Sequence, residues 1–213
     1  WIPLLRADAG LILLQDNGTP TNPNDDHVTY RTNWVDQNTK HIAPGNIYAI
    51  AQDQSGTLWV GTSSGIFAIP ASVDFANSNQ CKRVVIPRND GSGLGDYLLD
   101  NEQINAIAID GANRLWVGTA SSGIYLLKPV GSIDNIATYT VETVAHFTTN
   151  NSILPTDEII SIAIKGSTGE VFIGTNKGIA SYKSDAVTSE EKLNDSAIHA
   201  YPNPVRANYN GNI

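Results

Sequence analysis

Apolar and polar residues alternate in three segments of the chain, and the same order of elements recurs in each of them. Residues 47–69, 104–127 and 160–182 each open with an alternating stretch, IYAIAQ, INAIAI or ISIAIK. A polar turn follows, then an apolar LWVGT, LWVGT or VFIGT, a second short turn, and a final GIFAI, GIYLL or GIASY. Alternation with period two indicates strands, and turn residues between the strands indicate hairpins. Each segment therefore predicts a three-strand antiparallel meander.

An aromatic residue and a glycine mark the second strand of every copy. The aromatic residues, 57 and 56 residues apart, are Trp59, Trp116 and Phe172. The glycines stand two residues later, at Gly61, Gly118 and Gly174. Counting back a similar distance from Trp59 reaches Trp1, so we expect the chain to begin inside an earlier copy. Short antiparallel strands at this period favour propeller blades over a helical solenoid, with the aromatic residues as structural anchors of the blade cores.

The predicted fold is all-β. We expect a β-propeller fragment of about three and a half blades over residues 1–183, with outer fourth strands near residues 81–87 and 137–147. The last copy is followed by a polar acidic stretch, which predicts a linker over residues 184–197 and no outer strand of its own. Residues 198–213 are then predicted to begin a C-terminal β-sandwich, because Tyr201-Pro202-Asn203-Pro204 suits an extended edge strand.

Composition excludes several classes of function. The net charge is −8, from 13 Lys and Arg against 21 Asp and Glu, without clustered basic residues, so nucleic acid is not an expected partner. The single cysteine, Cys81, rules out an internal disulfide framework. No apolar run approaches the roughly 18 residues that a membrane-spanning helix needs. The chain contains no Met and starts at Trp1, so we expect the natural N-terminus to lie upstream.

The sequence offers little catalytic or metal chemistry. The four histidines lie far apart in the sequence, and no short metal-binding spacing occurs, so no metal and no cofactor are expected. Residues 61–65 spell GxSxG with Ser63 in the position of a nucleophile. They fall between two predicted antiparallel strands, however, whereas a nucleophile elbow joins a strand to a helix. We therefore expect no enzyme activity.

Binding is the expected activity, because rigid blades position the loops that join them. The loop before Ile47 is the richest in suitable side chains, with Lys40, His41 and Asn46 beside Trp34. These four residues are the predicted ligand-binding set, and they suit sugar hydroxyls with an aromatic face. The alternative is an ordinary loop between two blades.

The repeat resembles the two-component regulator propeller repeat of bacterial envelope proteins. The resemblance rests on AIxxD, a glycine-bearing turn, LWVGT and GI, and the best copies are residues 53–62 and 114–119. The later AYPNPV, residues 200–205, is similar to the opening strand of the terminal sandwich of proteins handled by the type IX secretion system of Bacteroidetes.

Together these resemblances imply a non-enzymatic binding or scaffold protein of the cell envelope, at the outer-membrane surface or in the periplasm. The implied partners are other envelope or secretion-system proteins, with carbohydrate or lipopolysaccharide as further candidates. The alternative is the periplasmic ligand-sensing propeller of a hybrid two-component receptor for oligosaccharides.

Overall fold

The computed structural model describes residues 2–3, 10–42, 44–88, 91–92 and 94–188. These residues form β-strands and no helix. In chain order the strands are β1 (Ile2–Pro3), β2 (Leu11–Gln15), β3 (His27–Arg31), β4 (Trp34–Val35), β5 (His41–Ile42), β6 (Ile47–Gln52), β7 (Leu58–Thr62), β8 (Gly65–Ile69), β9 (Val85–Pro87), β10 (Gly95–Tyr97), β11 (Ile104–Ile109), β12 (Leu115–Thr119), β13 (Ile124–Val130), β14 (Thr140–Phe147), β15 (Ile159–Lys165), β16 (Glu170–Thr175) and β17 (Gly178–Lys183).

Four antiparallel sheets follow one another along the chain. Sheet N is β1-β2-β3, blade A is β6-β7-β8, blade B is β11-β12-β13-β14, and blade C is β15-β16-β17. The hairpins β4-β5 and β9-β10 lie between these sheets in sequence. The predicted all-β fold of propeller meanders is confirmed. The anchor Trp1 and the predicted sandwich start at residues 198–213 lie outside the described residues.

The first strand of blade C begins one residue earlier than the sequence repeat predicts. A register shift follows the first residue of all three first strands, at Ile47, Ile104 and Ile159. Ile159 is fully buried, whereas Ile160 is 52% exposed. The prediction that Ile160 is equivalent to Ile104 is therefore wrong, because the turn at residues 165–170 is one residue longer than its counterparts.

Hydrophobic burial joins each blade to the next. Trp59 of blade A is fully buried in one cluster with Ile104 and Leu115 of blade B. Trp116 of blade B is fully buried in the same way, in a cluster that includes Ile159 of blade C. The second-strand tryptophan of each blade thus faces the blade that follows, and we call this side of a sheet its forward face. The opposite side is the rear face.

The repeated glycines make room for this contact. A Cβ atom on Gly61 would lie 2.6 Å from Cγ2 of Ile104, and one on Gly118 would lie 2.4 Å from Cγ2 of Ile159. Because these glycines lack a side chain, the first isoleucine of the following blade can pack directly against the backbone. Gly174 of blade C differs, because a Cβ there would meet only the Oγ atom of Ser161, in its own sheet.

The described part of the propeller has two uncovered apolar faces. On the forward face of blade C, Phe172 is 38% and Ile179 is 76% exposed, although the equivalent positions of blades A and B are buried. On the rear face of sheet N, Leu14, Val28 and Tyr30 are exposed. Both faces have the shape and composition of a blade interface without a neighbouring sheet among the described residues.

Blade B has the outer strand that the sequence predicts. Thr140–Phe147 pairs along its length with the third strand of the blade. In blade A the prediction of a regular outer strand at residues 81–87 is wrong. Only Lys82 bridges to the third strand, at Ala68, while Val85–Pro87 pairs with Gly95–Tyr97. The hairpin β4-β5 competes for this segment, because Cys81 donates its N–H to the carbonyl of Val35 and is buried between the sheets.

The first residues of the predicted acidic linker pack against the blades. Ser184 donates its N–H to the carbonyl of Gly169, and Thr188 donates its N–H to the carbonyl of Gly166. Ser184 and Ala186 are buried. The chain after blade C is therefore held at least as far as Thr188, and residues 189–197 lie outside the described residues.

Substitution of Gly118 tests how tightly the blades are joined. Gly118→Ala places a methyl group against Ile159 and should destabilise the fold by about 1 to 3 kcal/mol, the usual cost of overpacking a core. Gly174→Ala is the matched control, because its methyl group meets only a serine side chain that can rotate. Chemical denaturation measures both. Equal losses for the two variants would contradict the proposed packing.

The uncovered faces predict that residues 1–213 alone are poorly stable and associate with one another. Large exposed apolar patches favour association in water. Sedimentation of the purified chain should show concentration-dependent oligomers, and Ile179→Lys should reduce them. A monomer that melts cooperatively would contradict this prediction.

Candidate functional site

The candidate site lies at the upper end of blade A, the end at which the first strands begin and the turns between second and third strands lie. A cleft of about 290 Å³ opens there. Thr62 and Ser64 of blade A contribute hydroxyl groups to its lining, and its basic and acidic side chains come from two other parts of the chain. Lys40 and His41 precede the first strand of blade A, whereas Arg83 and Asp100 belong to the connection between blades A and B.

A tight turn positions Lys40 and His41. Asp36 begins the turn, and its Oδ1 atom accepts the backbone N–H groups of Asn38 and Lys40, both at 2.9 Å. Thr39 takes a positive φ of 62° to close the turn. The turn joins β4 to β5, so His41 lies on a strand and Lys40 stands immediately before it.

Arg83 is fixed from three sides. Its guanidinium forms an ion pair with Asp100 at 2.6 Å and lies 3.6 Å from the centre of the Tyr97 ring. The side-chain amide of Gln37 forms two hydrogen bonds with the backbone of Arg83. It accepts the Arg83 N–H and donates to the Arg83 carbonyl. A cation held in this way over an aromatic ring is positioned before any ligand arrives.

Two of the predicted ligand-binding residues do not line the cleft. Trp34 is fully buried, with its ring 5.3 Å from that of Phe67 and 5.9 Å from that of Phe75. Its indole is therefore part of the core between sheet N and blade A and presents no face to a sugar, which corrects the prediction for this residue. Asn46 lies beside the cleft, where its side-chain amide donates to the hydroxyl of Tyr48.

The cleft is more basic than the protein as a whole. Lys40 and Arg83 contribute two positive charges against the single carboxylate of Asp100, in a chain whose net charge is −8. Such a surface suits a ligand that carries anionic or hydrogen-bonding groups. The roles of Lys40 and His41 in binding remain predictions. Sequence reasoning missed Arg83 and Asp100, because no local pattern connects them with Lys40.

The structure gives Ser63 a role in a turn. Ser63 lies between β7 and β8, and its hydroxyl donates to the carbonyl of Pro44 at 3.1 Å. Within the described ranges, no three or more His, Cys, Asp or Glu side chains are grouped as metal ligands would be. No described helix is long and apolar enough to cross a membrane.

Comparison with known proteins gives a match to a propeller family model and similarities to solved structures. The sequence model of the two component regulator propeller family matches residues 41–64 and 98–121. The structure is similar to that of PorZ, an essential bacterial surface component of the type IX secretion system of Porphyromonas gingivalis. The TM-score is 0.71 and the sequence identity 28%, over 85% of this chain and 23% of PorZ. The chain thus spans less than a quarter of the length of PorZ.

A second similar structure is the extracellular domain of a hybrid two-component system from B. thetaiotaomicron. Its TM-score is 0.43 and its identity 19%, over 70% of this chain and 18% of that one. No curated protein sequence matches the chain. The described residues are therefore a segment of β-propeller whose fold is similar to that of PorZ, and two stretches of the chain match the two component regulator propeller model.

Proposed function

We propose that this chain is part of a non-enzymatic binding and scaffold protein of the cell surface, which resembles PorZ and acts in type IX protein secretion and in the attachment of cargo. The observation that carries the proposal is the likeness to PorZ over most of this chain in both sequence and fold. The predicted terminal sandwich at residues 198–213 adds to it, since that element is typical of proteins handled by this secretion system.

The upper cleft is the proposed docking site for a partner. The blades form a rigid frame, because their tryptophans and isoleucines are fully buried between sheets. The frame holds Lys40, His41 and Arg83 at one end of the blades, where a surface protein or a polar glycan can reach them. Binding through these groups requires neither a cofactor nor a reaction.

A second candidate function is ligand sensing in a hybrid two-component receptor, and the match to the regulator propeller family favours it. The two candidates predict different domains after residue 213 of the protein. A small sandwich of about 80 to 100 residues and then a stop supports the secretion component. A membrane helix and then a histidine kinase would establish the sensor instead.

Genetic complementation tests the proposed role directly. Deletion of the gene in the source bacterium should leave type IX cargo unattached to the cell surface, and the full-length gene should restore attachment. The double variant Lys40→Ala with His41→Ala should restore less cargo, because it removes one wall of the cleft. Cell-surface cargo is measured by quantitative immunoblotting of whole cells and of medium.

Lys177→Ala is the matched control, since Lys177 is an exposed lysine in the corresponding upper turn of blade C. Normal cargo attachment in the deletion strain would contradict the role in secretion. Normal attachment in the double variant alone would contradict only the assignment of the cleft.

A further inference from the structure

The lower ends of the two blade interfaces differ in whether an arginine closes them. The lower end is the side on which the turns between first and second strands lie. In the interface of blades B and C, Arg114 closes this end. Its Nε atom donates to Asp110 Oδ2 at 2.8 Å, and its Nη2 atom donates to Ser184 Oγ at 2.8 Å and to Asp185 Oδ1 at 2.7 Å. The guanidinium thus bridges the turn of one blade and the loop of the next.

The interface of blades A and B also has two acids at this end, but no described arginine lies between them. Asp53 begins the turn as Asp110 does, but the residue four positions later is Thr57. The loop after the third strand of blade B again supplies a serine and an aspartate, Ser132 and Asp134. A cavity of about 250 Å³, lined by these four residues among others, lies between turn and loop. None of its lining residues is Lys or Arg.

The groups around this cavity have unused hydrogen-bonding capacity. Asp53 Oδ2 accepts one hydrogen bond, from the indole N–H of Trp59 at 3.0 Å, whereas Asp110 Oδ2 accepts both an indole N–H and the Arg114 N–H. Asp134 accepts a hydrogen bond from the hydroxyl of Ser72 at its Oδ1 atom.

Tyr139 also lines the cavity and is only 6% exposed, and its hydroxyl has no hydrogen-bond partner among the described residues. Burial, together with the nearby Asp53 carboxylate, raises the pKa of this phenol, so it stays neutral. The hydroxyl is therefore available to donate to, or accept from, a polar group that enters the cavity.

We infer that this cavity binds the guanidinium group of an arginine side chain presented by a partner protein. The fork of N–H donors reaches Asp53 Oδ2 on the turn, the carboxylate of Asp134 on the loop and the phenol oxygen of Tyr139. The bound arginine takes the place that Arg114 takes in the next interface. The site lies at the lower end of the blades, so it is separate from the upper cleft and does not depend on the function proposed above.

A guanidinium fits the lining better than a metal ion does. Calcium takes six to eight oxygen ligands, several of them carboxylates. The cavity offers two carboxylates, and Asp53 already accepts its turn N–H groups and the Trp59 indole. In the interface of blades B and C, by contrast, the guanidinium of Arg114 already lies between a turn carboxylate and a loop carboxylate. Its hydrogen bond to Asp185 lowers the pKa of that carboxyl.

Titration with a blocked arginine tests the inference. Nα-acetyl-arginine amide should bind the full-length protein saturably in titration calorimetry. The citrulline analogue, which has the same shape but no charge, should bind at least about tenfold more weakly, as expected for the loss of charge-assisted hydrogen bonds. Equal binding of the two compounds would overturn the inference.

Three variants complete the test. Thr57→Arg supplies the guanidinium from within the chain, so it should abolish binding of the probe and raise the melting temperature. Asp134→Asn should weaken binding about fivefold, in the range of a partly exposed ion pair. Asp185→Asn is the matched control and should leave binding unchanged, since this acid belongs to the other interface.

If Thr57→Arg fails to fold, the affinities of Asp134→Asn and Asp185→Asn for the probe still test whether the cavity binds a guanidinium. Equal affinity in Asp134→Asn and the parent chain would contradict the assignment. Stoichiometric calcium binding that Asp134→Asn abolishes would likewise overturn it in favour of a metal site.

Discussion

Blades A and B each depend on a buried pair, a turn carboxylate and a tryptophan indole. Asp53 and Asp110 are nearly inaccessible to water, and each directs one oxygen to two backbone N–H groups of its turn and the other oxygen to the indole N–H six residues later. A buried carboxylate without donors and a buried indole without an acceptor would each be costly. Each group satisfies the other, so the turn, the second strand and the interface to the next blade are fixed together. Asp36 closes a third turn with the same backbone hydrogen bonds but without an indole, and its hairpin carries Lys40 and His41.

Departures from this pair account for the differences between blades. Blade C has Lys165 at the position of the aspartate and Phe172 at that of the tryptophan, and the two changes agree because phenylalanine has no N–H that needs an acceptor. Its turn is one residue longer, and its forward face is open among the described residues. The residue four positions after the turn aspartate then determines whether a side chain of the blade itself fills the lower end of the interface. Arg114 closes the lower end of the interface of blades B and C, and Thr57 leaves the corresponding space open.

Local pattern was enough to predict the blades and not enough to predict the site. The period of the aromatic residues and glycines predicted the strands, because every blade repeats the same local constraints. The turn DQNTK, residues 36–40, shares its opening DQ and its spacing with DQSGT, residues 53–57, and could have indicated the hairpin before Ile47. Burial of Trp34 and the meeting of Arg83 with Lys40 depend on contacts between residues about 40 apart, for which a single sequence has no signal. The sequence repeat predicted that the first strand of blade C begins at Ile160. That prediction was one residue late, because the turn after this strand has one residue more than the turns of blades A and B.

A double-mutant cycle on Asp53 and Trp59 tests the central claim most directly. Asp53→Asn, Trp59→Phe and the double variant, each made in the full-length protein, are compared with the unsubstituted protein by the free energy of unfolding in denaturant. The account predicts a coupling free energy of about 1 to 3 kcal/mol, because removal of either partner leaves the other buried without its hydrogen bond. The double variant should therefore lose less stability than the two single losses combined. Additive losses would show that the indole and the carboxylate act independently and would contradict the account.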